Sequence, residues 1–166
     1  MTQMDAGNNG RAFGEDEYPC QDLTGLIIGA ALDVHRAFGF GFLEAVYRRS
    51  LAVELRYRGI EVAQDVGYEL FHRGVPVGIY RADLVAESTV IIEAKAGRLM
   101  DPTSPDQLLN YLRASGLPIG LVLHFGPRLG IKRVIARRPN VTGVRRQIER
   151  DSTEAEDLSR DDESSA

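Results

Sequence analysis

Asp83 and Glu93 stand ten residues apart, and Glu93 opens the triplet Glu93-Ala94-Lys95 after the apolar run Val90-Ile91-Ile92. Segments 75–86 and 89–96 read as two strands of a hairpin with Ser88 at its midpoint, which sets Asp83 directly opposite Glu93. Cross-strand neighbours hold their Cβ atoms about 4.5–5.5 Å apart. Alternation along a strand brings Lys95 to the same face, with Arg81 one step further along. Two carboxylates this close repel each other unless a cation lies between them. A hard divalent ion such as magnesium takes oxygen ligands and keeps several waters, which suits two carboxylates rather than a full cage. Such an ion polarises a phosphate oxygen and acidifies a bound water, while a lysine orients that water or neutralises charge at phosphorus. The chemistry is hydrolysis of a phosphodiester. A salt-bridged surface hairpin is the competing reading of the same three residues.

Three features bear on that choice. Lys95 and Lys132 are the only lysines among 20 basic residues, a bias consistent with a lysine retained for its compact charge. Glu44 precedes Tyr47, Leu51 and Leu55 at helical spacing, so its carboxylate lies on the face that meets a sheet and needs a partner there. An acid favoured by the dipole of a helix N-terminus is the plainer alternative for Glu44. Gln107 and Tyr111 share one helical face directly after the strand that carries Glu93 and Lys95. They could contact a phosphate, a base or the attacking water, or serve as cap and core residues.

The elements that must position these groups can be read from periodicity. Apolar residues at helical spacing predict a helix over 23–38 with Asp22 or Thr24 as N-cap, and a second over 42–58 closed by Gly59. Three antiparallel strands follow as a meander over 60–71, 75–86 and 89–96. Ser104 as cap and Pro105 in the first helical position open a third helix that Gly116 stops near 115. The continuously apolar 119–125 reads as a strand covered on both faces, and 130–138 as a last, more exposed one. The order describes an α/β sheet with helices packed against it.

Composition limits what such a domain meets. The chain has 166 residues and 43% hydrophobic content, enough for one core. Its net charge of −4 is unevenly spread: 1–20 carry four acids and one base, 151–166 seven acids and one base. Against 20 bases and 24 acids in all, 18 bases and 13 acids remain in 21–150, a domain of +5. Both acidic ends lack apolar periodicity and are expected to be disordered tails. They either solubilise the domain or compete with phosphate for its basic surface. The pairs Arg48-Arg49, Arg56-x-Arg58, Lys132-Arg133, Arg137-Arg138 and Arg145-Arg146 could track a nucleic-acid backbone or be solvated faces. No signal segment or membrane anchor is visible in 1–20, so a cytoplasmic location is expected. The lone Cys20 has no partner for a disulfide or zinc site.

Taken together, Gly41-x-x-Glu44-x-x-Tyr47, Asp83, Glu93-Ala94-Lys95 and Gln107-x-x-x-Tyr111 resemble the GxxExxY proteins, a bacterial family of the PD-(D/E)XK nuclease-like superfamily. The resemblance covers about 23–135, including Val34-His35-Arg36 and Lys132-Arg133. It implies an αβββαβ core with a central mixed sheet flanked by helices, and cleavage of nucleic acid, DNA before RNA, with Mg2+ or Mn2+. Asp83 and Glu93 would be metal ligands, Glu44 the helix carboxylate of the same site, and Lys95 the catalytic lysine. Gln107 and Tyr111 resemble the QxxxY motif of RecB-like nucleases, and His35 matches a helix histidine that some of those enzymes use as an extra ligand. A cationic cap at the helix end is the other reading of His35. Ala82 departs from the superfamily's name, which has proline before the aspartate. The same resemblance admits a nuclease-fold module that binds nucleic acid or protein without cutting, and, further off, a phosphohydrolase of small nucleotides.

Overall fold

The computed structural model describes residues 20–136 and the backbone of residues 144–147. The acidic segments thus lie outside the described residues, apart from Cys20, as do the side chains of the two distal arginine pairs.

Helix α1 (Gln21–Phe38) buries Ile27, Ala30, Ala31 and Val34, the stripe expected of a helix lying on a sheet. The expected caps are not used. Cys20 precedes the helix in a left-handed conformation, and the Thr24 hydroxyl instead donates to the Gln21 carbonyl and accepts from Arg133. Helix α2 (Glu44–Tyr57) buries Tyr47, Leu51, Ala52 and Leu55. It ends as its glycine predicts: Gly59 takes φ +77°, its N–H donates to the Arg56 carbonyl, and the Ile60 N–H donates to that of Leu55. This double closure lays Ile60 against the core beside Leu55.

Strands β1 (Val62–His72), β2 (Val75–Ala86) and β3 (Val90–Ala96) form the meander. Helix α3 (Ser104–Ser115) crosses over to β4 (Ile119–Phe125), which pairs parallel to β3, and β5 (Leu129–Ile135) returns antiparallel. A four-residue β6 (Val144–Gln147) adds to the edge at β1, giving the order β5-β4-β3-β2-β1-β6. The sheet is mixed and the architecture is the α/β core expected. β6 was not anticipated, because four residues with two central arginines carry no alternation to read. At α3 the cap moves by one residue: Thr103 precedes the helix and Ser104 begins it. Asp101 fixes that turn by accepting from the Thr103 N–H and hydroxyl, both at 2.8 Å.

The sheet faces two different layers. Val90, Ile92 and Ala94 of β3 pack with α1 and α2, while Ile91 packs with Leu108 and Leu112 of α3. By alternation Glu93 and Lys95 belong to the α3 face. On β2 the alternation breaks: Leu84 and Ala86 face α1 and α2, whereas Tyr80 and Ala82 face the α3 side. The break falls at Asp83, and its counterpart on β1 is Asp65, which takes φ +52° and leaves the ladder between Gln64↔Leu84 and Val66↔Ala82.

Candidate active site

The hairpin register is the one the midpoint at Ser88 predicts, running Ala86↔Val90, Val85↔Ile91 and Leu84↔Ile92. The next step would pair Asp83 with Glu93, and there the ladder stops. Asp83 turns its carboxylate onto the partner strand instead, where Oδ2 accepts from the Ala94 N–H at 2.9 Å. A side chain takes over a bond that backbone would have made, and the two acids are held side by side where the strands part. Because alternation breaks at this position, Arg81 does not follow Asp83 as expected; it pairs opposite Gly67 and is exposed. The arginine that meets Asp83 is Arg48 of α2, whose Nη1 lies 3.4 Å from Asp83 Oδ1 and 2.9 Å from Asp65 Oδ1. Arg48 lies one turn beyond Glu44, so the helix face assigned from spacing carries both an acid and a base. Sequence reasoning had placed Arg48 only within a generic basic pair.

Glu93 is 6% exposed. Its Oε1 accepts from the Tyr80 hydroxyl, and its Oε2 lies 3.4 Å from Lys95 Nζ. Burial and the neighbouring Asp83 charge push its carboxyl above the usual glutamate range, against the opposing pull of Tyr80 and Lys95. Burial and the Glu93 charge also raise the Tyr80 phenol, so Tyr80 remains a donor. For Lys95 burial is the largest influence and disfavours the ammonium, yet the charges of Glu93, Glu44 and Asp83 outweigh it, and the lysine holds its proton above the ordinary range.

Tyr111 enters through Tyr80: the two rings stack nearly parallel, at 8°, and the Tyr80 hydroxyl carries that contact to Glu93. Gln107, one turn earlier, is exposed, and its side chain makes no hydrogen bond among the described residues. His35 is also drawn elsewhere. Its Nε2 lies 2.8 Å from the Gly126 carbonyl oxygen, and its ring stacks on Phe125, part of the α1/α2-side core. Glu44, the first residue of α2, is exposed and reaches Lys95 by charge rather than by a hydrogen bond. Among the described residues no three His, Cys, Asp or Glu side chains converge as a ready cage.

Tyr47 explains why glycine, glutamate and tyrosine recur three apart. Gly41 takes φ +118° in the loop, Glu44 starts the helix, and the buried Tyr47 hydroxyl donates to the Gly39 carbonyl (2.8 Å) and accepts from the Phe42 N–H (3.2 Å). Tyr47 in turn stacks on Phe125 of β4, 4.5 Å between ring centres. One residue that spacing did not reveal is His124, which the parallel ladder sets beside Lys95. It is buried, and its Nε2 has no hydrogen-bond partner among the described residues. Its only sequence signal was a polar residue inside an apolar strand.

Residues 21–134 match the model of a known protein family, described as the PD-(D/E)XK nuclease superfamily. The chain belongs to that superfamily. No curated protein and no solved structure matches the chain. The match runs from the start of α1 nearly to the end of β5, so Glu44, Asp83, Glu93, Lys95 and Tyr111 all fall within it. PD-(D/E)XK proteins are generally nucleases that use divalent metals, which supports a nuclease-type function and a nucleic-acid substrate. Where the superfamily's name has proline this chain has Ala82, fully buried in the α3-side cluster. No helix among the described residues is long and apolar enough to cross a membrane.

Proposed function

We propose that this protein is a divalent-metal-dependent nuclease of the GxxExxY type, hydrolysing phosphodiesters of nucleic acid, DNA in the first instance, with Mg2+ or Mn2+. The observation that carries the reading is a buried glutamate held next to a second carboxylate and a lysine. Burial first and the neighbouring Asp83 charge second raise the Glu93 carboxyl, and the lysine beside it only partly offsets them. A hard cation would offset both the burial and the mutual repulsion of the two carboxylates, and Asp83 and Glu93 offer it oxygen donors only, as magnesium and manganese prefer. The donor set therefore fits such an ion, with Asp83 and Glu93 as its protein ligands and waters completing the shell. When bound, the ion would polarise the scissile phosphate and acidify a water.

The chain's own residues do the remainder. Tyr80, kept protonated, steadies Glu93 through its hydroxyl, and the Tyr111 ring holds Tyr80 against the sheet. Asp83 is oriented by the Ala94 N–H and countered by Arg48. Lys95 keeps its proton, so its role is that of a cation beside the phosphate, where it orients the attacking water and neutralises charge as the fifth oxygen arrives. Glu44 supports that charge across the mouth of the site. His35 and Gln107 stand outside the proposed ligand set.

The test is degradation of single- and double-stranded DNA and RNA with and without Mg2+ or Mn2+, with Asp83→Ala and Lys95→Ala as controls. Cleavage that needs the metal and is lost in both variants is expected. Cleavage that survives either substitution would sink this site, and binding without cleavage would mark a nuclease fold retained for recognition alone.

A further inference from the structure

The loop between α1 and α2 presents aromatic rings where a soluble domain would normally hide them. Phe40 is 42% exposed and Phe42 51% exposed, on a backbone turned outward by Gly39 (φ +67°) and Gly41 (φ +118°). This loop is anchored. The buried Tyr47 bonds it at Gly39 and at Phe42, and Phe42 rests edge-on against the rings of Phe38 and Tyr47. Phe40 has no ring partner among the described residues. Between the loop and the end of β3 lies an open cavity of about 250 Å3, lined by Phe40, Phe42, Glu44 and Gly97 among others. Gly97 stands two residues beyond Lys95, and Glu44 is the carboxylate that faces that lysine by charge. The cavity thus lies beside the candidate active site, sharing Glu44 with it and reaching β3 at Ala96 and Gly97, just past Lys95.

We propose that this loop is a stacking subsite for a base of an unpaired nucleic-acid strand, which makes single-stranded or frayed nucleic acid the preferred substrate. The inference rests on the nuclease reading above. An unpaired base offers a flat apolar face, and stacking it on a pre-held aromatic ring loses little freedom at the protein. In a duplex the faces of internal bases are already covered by their neighbours, so the same rings have nothing to take. A protein partner would also cover these rings, but the cavity is bounded on one side by Glu44 and Gly97, next to where a strand held for the chemistry must pass.

The 166-residue chain contains no tryptophan, so Phe40→Trp introduces a single tryptophan reporter. In a Lys95→Ala background with Mg2+, which keeps the strand intact, titration with an unpaired oligonucleotide should quench that fluorescence. A duplex of equal length, or an oligonucleotide of abasic sites, should bind with little quenching. In the same background Phe40→Ala should weaken unpaired-strand binding by about tenfold and leave duplex binding unchanged. Equal weakening for both substrates, or none for either, overturns the subsite while leaving the nuclease reading in place. A chain with the loop intact that binds neither substrate removes the nuclease reading and this inference together. Phe40 carries no packing contact with another ring, so its substitution should spare the fold, and an unchanged melting temperature checks this.

Discussion

Between the sheet and α1 and α2 the interior is filled by aliphatic side chains such as Ile27, Leu51, Leu55, Leu84 and Ile92, all fully buried. Across the same sheet, on the α3 side, lie the rings of Tyr68, Tyr80 and Tyr111, the carboxylate of Glu93, and His124. Apolar burial drives folding without regard to direction. A layer of phenols, acid and base instead imposes orientation, and it costs stability wherever a polar group is left short of partners. One face holds the fold together so that the other can hold charge, and Asp83, where alternation breaks, lies at the boundary between them.

That division can be broken from either side. The largest effect should come from Lys95→Ala, which on the proposed mechanism lowers metal-dependent cleavage by about 10²- to 10⁴-fold. Its melting temperature should stay close to that of the parent, since the lysine is partly exposed; a large loss of stability would assign Lys95 to the fold. Leu55→Ala, in the opposite layer, should cost about 2–5 kcal/mol of unfolding free energy in urea, with cleavage retained by the molecules that remain folded. A Leu55→Ala protein with unchanged stability would contradict the placement of the main core.

Glu93→Gln should make the metal-free protein more stable, by about 0.5–2 kcal/mol, while abolishing cleavage. The sign follows from proton linkage. Glu93 keeps its proton to a higher pH when folded than when unfolded. The folded chain therefore binds more protons, and stability is lost as pH rises from the ordinary glutamate range through the raised folded value. The glutamine variant should lack that decline, and thermal melts across the interval measure the difference. The smallest effect is expected for His124→Phe, which removes a buried nitrogen without a partner and should change stability by about 1 kcal/mol or less. A marked fall in cleavage with stability unchanged would instead show that His124 Nε2 serves the site beside Lys95.

Much of the fold was legible because helix and strand patterns are local. The apolar stripes of α1 and α2, the Gly59 and Gly116 closures and the register about Ser88 all depend on residues within a turn or a hairpin of one another. The caps of α1 and α3 were misassigned because several nearby polar side chains could cap each helix, and the choice depended on neighbours such as Arg133 and Asp101. The site was legible to the same depth. Asp83, Glu93 and Lys95 are linked by one hairpin, and the structure brings them together. Gln107 and His35 were grouped with them by motif, yet their side chains are directed to solvent and to Gly126.

The sequence by itself determined the hairpin that joins the two acids and the lysine, since period-two alternation and a short turn leave that pairing little freedom. The tertiary structure alone decided the rest: Arg48 against Asp83, the Tyr111–Tyr80–Glu93 chain, and His124 at the shoulder of Lys95. Each draws in a residue from outside the hairpin: Arg48 from α2, before β1, Tyr111 from α3, and His124 from β4, beyond the crossover. The paired irregularity at Asp65 and Asp83 belongs with them, because it reverses the faces of both strands without shifting their register, and no spacing in the sequence records it.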